Sequence, residues 1–151
     1  MTPDTILVQL YRIADSAEFP YRSGQLVEDW IGAGVGPEAI APVLRFMEEH
    51  PEIDYGRPGA LVHFLERLGD RGYGEQLTAS FARRPTAHTA LMLDRHIASA
   101  CEPEVRQHLL ALMRDARQHP LADAGLRDAV KHLLREGPAP RRGYRGSDAR
   151  A

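Results

Sequence analysis

The sequence has a single cysteine, Cys101, among its 151 residues. One cysteine cannot form an intrachain disulfide, so the fold must be held together by its apolar core. No apolar run approaches the roughly 20 residues that a membrane-spanning helix needs. The first 20 residues also lack the basic start and apolar centre of a signal peptide. We therefore expect a cytoplasmic protein without a membrane partner.

Sustained alternation of β-branched residues is also missing, so no strand is predicted. Apolar residues instead recur at helical spacing almost throughout. Helices three to eight form three predicted pairs: 37–50 with 58–70, 73–83 with 86–100, and 104–118 with 123–135. The pairs begin about 31 to 36 residues apart, near the period of helical repeat proteins. The prediction is an all-α fold of about eight helices, stacked as antiparallel pairs in a HEAT-like superhelix, with a closed helical bundle as the alternative.

Local signals divide the chain further. Phe19-Pro20 is interpreted as a break, and Leu26 to Ile31 as a short second helix. The seventh predicted helix carries the apolar residues Val105, Leu109, Leu112 and Ala116 at helical spacing. Residues 1–136 are expected to form one helical domain. Residues 137–151, rich in Gly, Pro and Arg, are expected to be a disordered basic tail.

Charge is distributed unevenly. Residues 1–56 carry ten acidic residues against three arginines, whereas the whole chain has a net charge of −2. An acidic first third argues against nucleic acid as its partner and favours a basic protein surface. A solvated acidic face without a partner is the simpler interpretation. The acidic residues considered for binding are Glu28, Asp29, Glu48, Glu49, Glu52, Asp54 and Glu66.

Residues with catalytic potential are scattered without a recognisable catalytic pattern. The chain has no G-x-S-x-G, H-E-x-x-H or C-x-x-C motif. His63 and Glu66 are three residues apart on one predicted helix and could chelate a metal only with a third ligand, of which His88 is the best candidate. The interpretation preferred here is that the histidines bond neighbouring helices. We predict no catalytic residues, no metal site and no cofactor.

Two segments are more distinctive. Residues 54–66, DYGRPGALVHFLE, put a stiff turn directly before an apolar helix, and residues 84–95, RPTAHTALMLDR, again place a proline near a helix start. These segments resemble a family of small helical bacterial immunity proteins, which neutralise secreted polymorphic toxins. The resemblance covers about a sixth of the chain. It implies a HEAT-like helical fold and a function in binding.

The leading hypothesis is therefore an immunity-type protein, not an enzyme, that binds a cognate, basic toxin directly. The binding residues expected beside the acids are Tyr55, as an exposed aromatic anchor, together with His63 and Arg95, which belong to the two resembling segments. Two alternatives remain. One is a HEAT-like scaffold or adaptor for another protein, and the other is a helical metal-dependent enzyme that uses His63, Glu66 and His88.

Overall fold

The computed structural model describes residues 1–69 and 71–137, and all regular secondary structure in those ranges is helical. Eight α-helices lie within these ranges: α1 Pro3–Ile13, α2 Phe19–Gly32, α3 Ile40–Glu49, α4 Ala60–Arg67, α5 Tyr73–Arg83, α6 Ala87–Ser99, α7 Pro103–Asp115 and α8 Ala124–Glu136. One 3₁₀ turn precedes α3 and another follows α7. The predicted all-α class with about eight helices is confirmed. The predicted disordered tail lies, apart from Gly137, outside the described residues.

Helix ends follow local chemistry. The Thr86 hydroxyl accepts a hydrogen bond from the Thr89 amide, and the Thr89 hydroxyl accepts one from the Thr86 amide, so the two threonines cap α6 reciprocally. Asp123 caps α8 by accepting a bond from the Leu126 amide at 2.7 Å. The interpretation of Phe19-Pro20 as a break was wrong, because this proline lies in the first turn of α2. A proline there loses no helical hydrogen bond, so it begins the helix instead of ending one.

The helices stack in chain order. α1, α3 and α5 lie side by side in one row, α2 packs on α4, and α6 packs on α5, α7 and α8. Extensive packing within the described ranges never joins α1 or α2 to α7 or α8, as closure into a bundle would require. The predicted pairing of α5 with α6 is confirmed. The pairing of α3 with α4 is not a major contact, because α3 packs chiefly on α1 and α5.

The apolar interior consists of two clusters. The first collects α1 to α4 together with Tyr73 and Leu77 of α5 and Met92 of α6. The second collects Phe81 of α5, Leu93 and other residues of α6, and the inner faces of α7 and α8. α5 and α6 therefore contribute to both clusters and join the two halves of the stack.

Candidate functional site

The turn at 54–59 positions the first of the two distinctive segments. The Asp54 carboxylate accepts a hydrogen bond from the Gly56 amide at 2.9 Å. Gly59 has a φ of +93°, and a Cβ atom built there would lie 1.7 Å from the carbonyl oxygen of Tyr55. Only glycine fits that position. The tight turn fixes the backbone of Tyr55 directly before α4.

Tyr55 is buried, with 2% of its surface exposed, so the expectation of an exposed aromatic anchor was wrong. Its hydroxyl donates a hydrogen bond to the carbonyl oxygen of His50 at 2.7 Å. Its ring meets Phe19 edge-on, with the ring centroids 5.4 Å apart. Burial raises the pKa of the phenol above its usual value, with a smaller contribution from Glu52. The turn therefore directs this side chain into the core.

His88 of the second segment packs against the same tyrosine. The ring centroids of Tyr55 and His88 are 4.8 Å apart. The Nε2 atom of His88 is buried and has no hydrogen-bond partner in the ranges 1–69 and 71–137. Burial lowers the pKa of His88 to about 4, while the nearby Asp54 carboxylate opposes the shift. His88 is therefore held in its neutral form at neutral pH.

An ion pair makes a second connection between the two segments. Arg95 of α6 donates to both carboxylate oxygens of Glu66 of α4, from Nε at 3.0 Å and from the terminal nitrogen at 2.8 Å. Such two-pronged pairing fixes direction as well as charge. His63, expected to bond another helix, instead lies 3.8 Å from Glu66 on its own helix, and its side chain is 59% exposed. Arg95 makes the inter-helix bond that was assigned to His63.

The acidic surface is smaller than the sequence suggested. Glu48 is buried and accepts hydrogen bonds from the Ser80 hydroxyl at 2.7 Å and from the Arg83 guanidinium at 2.7 Å. Glu49 accepts hydrogen bonds from the Tyr11 hydroxyl and from Arg45, which lower its pKa in that order of importance. These two carboxylates and Glu66 are neutralised by arginines of the same chain.

Four of the predicted acids are exposed and, within the described part of the chain, form no ion pair. They are Glu28 and Asp29 near the end of α2, and Glu52 and Asp54 around the turn before α4. These four remain candidates for attracting a basic partner.

The metal hypothesis finds no support in the arrangement of side chains. Glu66 is occupied by Arg95, while His88 lies against Tyr55. No group of three or more His, Cys, Asp or Glu residues in the ranges 1–69 and 71–137 is placed to hold a metal ion. The three proposed ligands therefore do not form one site.

Sequence reasoning missed an open groove of about 930 Å³ between α5 and α7. Its α7 wall includes Val105, a residue of the predicted apolar stripe that is 43% exposed. The floor includes His96, whose ring lies so close to Gly74 that a Cβ there would be 2.7 Å from it. Burial lowers the pKa of His96, and Glu66 opposes that shift. The exposed apolar positions on α7 were the available signal, but only the three-dimensional packing shows that α5 leaves them uncovered.

The helices of the described ranges are too short or too polar to cross a membrane. Comparison with family models finds no match, and comparison with characterised proteins and with solved structures finds no significant similarity.

Proposed function

We propose that this protein acts by binding another protein, as an immunity-type inhibitor of a basic toxin. The observation that carries the proposal is the set of four exposed acids at the end of α2 and around the 52–54 turn, which form no ion pair with another described residue. Uncompensated surface carboxylates speed the encounter with a cationic partner and repel nucleic acid. A stack of helices offers a rigid surface on which such charges keep their positions.

Contact between the two distinctive segments supports the proposal further. The segments on which the resemblance to immunity proteins depends meet through Tyr55 and His88 and through Glu66 and Arg95. Their residues therefore act together to fix α4 against α6. In this proposal the segments build the scaffold, while the exposed acids make the first contact with the toxin. A scaffold for an unrelated protein is the alternative, and the identity of the bound protein distinguishes the two.

The test uses the product of the gene adjacent to this one as the candidate toxin. Co-expression with this protein should restore the growth of cells that produce the toxin, and the purified pair should form a one-to-one complex by calorimetry. The absence of both rescue and binding would contradict the proposal. Rescue without complex formation would contradict direct neutralisation.

The electrostatic part is tested by charge reversal. The triple variant Glu28→Lys, Asp29→Lys, Glu52→Lys should slow association several-fold at low salt, and the deficit should shrink at 1 M salt, where the Debye length is only about 3 Å. Stopped-flow association at two salt concentrations measures both effects.

The matched control reverses three exposed acids on and near α7 and α8: Asp115→Lys, Asp128→Lys and Glu136→Lys. It alters the net charge by the same amount, so a site-specific effect appears as a larger loss in the first triple. If the two triple variants lose the same amount of association rate, the acids at the end of α2 and around the 52–54 turn act only through the net charge of the protein and not as a specific contact surface.

A further inference from the structure

The wall of the groove on α7 is an amphipathic stripe that is only partly covered by the described residues. Val105, His108, Leu109 and Leu112 line the groove at spacings of i, i+3, i+4 and i+7. This is the spacing by which one face of a helix contacts another. Although Leu109 is buried, Val105 keeps 43% of its surface exposed. Within the described residues, α7 packs on α6 and α8 but not extensively on α5.

The opposite wall, on α5, is formed largely by small side chains. Gly74, Thr78, Ala79 and Ala82 line the groove along about two turns of the helix. Small residues allow another backbone to approach closely. In the row of α1, α3 and α5, by contrast, α1 packs directly on α3 and α3 packs directly on α5. The space between α5 and α7 stays open as the groove.

The floor of the groove is formed by closely packed residues. The ring of His96 is packed against Gly74, where a side chain would collide with it. Tyr73 also lines the groove, is 6% exposed, and has a buried hydroxyl without a hydrogen-bond partner among the described residues. Such an unsatisfied hydroxyl costs free energy in the unbound protein, and a small shift on binding could give it a partner.

Charge indicates the kind of partner. The lining includes two carboxylates, Glu66 and Glu75, against one guanidinium, Arg95. Arg95 is engaged by Glu66, and Glu75 is exposed and forms no ion pair in the described part of the chain. Counting these carboxylates and the guanidinium alone, the described lining carries one net negative charge, at the end of the groove where α5 begins. A basic residue on a bound segment would complement it.

We propose that the groove between α5 and α7 binds an amphipathic helix of the partner protein, with its apolar face on the α7 stripe and a lysine or arginine opposite Glu75. This inference deepens the proposed function and rests on it, because the partner is taken to be a protein. The stripe from Val105 to Leu112 spans roughly 10 Å, so two to three turns of helix would fill it. Helix-in-groove recognition uses the same i, i+3, i+4, i+7 anchors.

The first experiment blocks the groove. Ala79 is exposed on the α5 wall, so Ala79→Trp should fold normally while filling the space that the helix needs. Its matched control is Ala41→Trp, at an exposed position of α3 outside the groove. With the adjacent gene's product, Ala79→Trp should weaken binding at least about tenfold and Ala41→Trp should not. Equal affinities of the two variants would overturn the groove while leaving the proposed function standing.

The second experiment does not need the natural partner. The probe is a synthetic helical peptide of roughly three turns, leucine on one face and lysine on the other, compared with a version that has glutamate in place of lysine. On ¹⁵N-labelled protein, the lysine peptide should shift amide signals of α5 and α7, and the glutamate peptide should bind more weakly. Glu75→Lys should reverse that preference.

The outcomes of this second experiment separate the two ideas. Shifts on α5 and α7 that vanish in Ala79→Trp support the groove even if the adjacent gene's product does not bind. Shifts located elsewhere, shifts that persist in Ala79→Trp, or no shifts at all would overturn it.

Discussion

His88 should make the protein lose stability in mildly acidic solution. The folded protein holds this side chain against Tyr55 with a pKa of about 4, lowered by burial, whereas an unfolded histidine has a pKa near 6.5. Between these values the unfolded chain binds the proton and the folded chain does not. Stability therefore falls as the pH drops from about 6.5 towards 4, and the full loss is reached below that range.

The size of the effect follows from the two pKa values. At pH 5, an unfolded histidine is almost entirely protonated and the folded one is about a tenth protonated. The linkage relation then gives roughly 2 kcal/mol of lost stability relative to pH 7. This is a large part of the ~5–15 kcal/mol by which domains are usually stable. Other groups titrate as well, including His96, so the contribution of His88 must be isolated by substitution.

His88→Phe is the decisive variant. Phenylalanine keeps a ring against Tyr55, cannot be protonated, and removes the unpartnered Nε2. Urea unfolding followed by circular dichroism at pH 7, 6 and 5 should show the wild type losing roughly 2 kcal/mol more than the variant. His132→Phe, at an exposed position on α8, is the control and should behave as the wild type does. If His88→Phe and the wild type lose stability equally, His88 is accessible to protons and our account of its burial is wrong.

Three further predictions concern stability in urea or on heating. Gly59→Ala should destabilise by at least about 2 kcal/mol, because its Cβ would collide with the Tyr55 carbonyl, whereas Gly34→Ala, with a φ of +73° and open space around it, should cost only ~1 kcal/mol. Glu48→Ala should lower the free energy of unfolding by ~1–3 kcal/mol, because it leaves the buried Ser80 hydroxyl unpaired. A loss below about 0.5 kcal/mol, the size usual for surface substitutions, would contradict the hydrogen bond between Ser80 and Glu48. Arg95→Lys should lower the free energy of unfolding by about 0.5–1 kcal/mol, because lysine cannot make the two-pronged contact with the half-buried carboxylate of Glu66. The melting temperature should therefore fall slightly, and an unchanged melting temperature would contradict this prediction.

The helices were predictable because their signals are local. Spacing of apolar residues and the positions of proline and glycine lie within one turn or two of the element that they define, so the eight helices followed from the sequence. The misreading of Phe19-Pro20 shows the limit of that approach. A proline within a chain can end one helix or begin another, and the choice depends on whether Phe19 finds a core to enter, as it does beside Tyr55.

The surface was less predictable because exposure is decided by residues distant in sequence. Tyr55 lies within a polar turn, yet the ring of His88, more than thirty positions later, packs against it. From the sequence, Glu48 cannot be told from the exposed acids of other helices, yet Ser80 and Arg83 of α5 donate hydrogen bonds to it. The groove was missed for the same reason, since no local pattern tells whether α5 will cover the apolar stripe of α7.

The division of α6 between the two apolar clusters bears on how the chain is made. Met92 enters the first cluster and its neighbour Leu93 enters the second. During synthesis, α1 to α5 emerge from the ribosome before Met92 has been added to the chain. At that stage the first apolar cluster is incomplete, because it lacks the Met92 side chain. We therefore expect α1 to α5 to fold stably only after α6 has been synthesised. A chain truncated before α6 should be unstable and should be degraded in the cell.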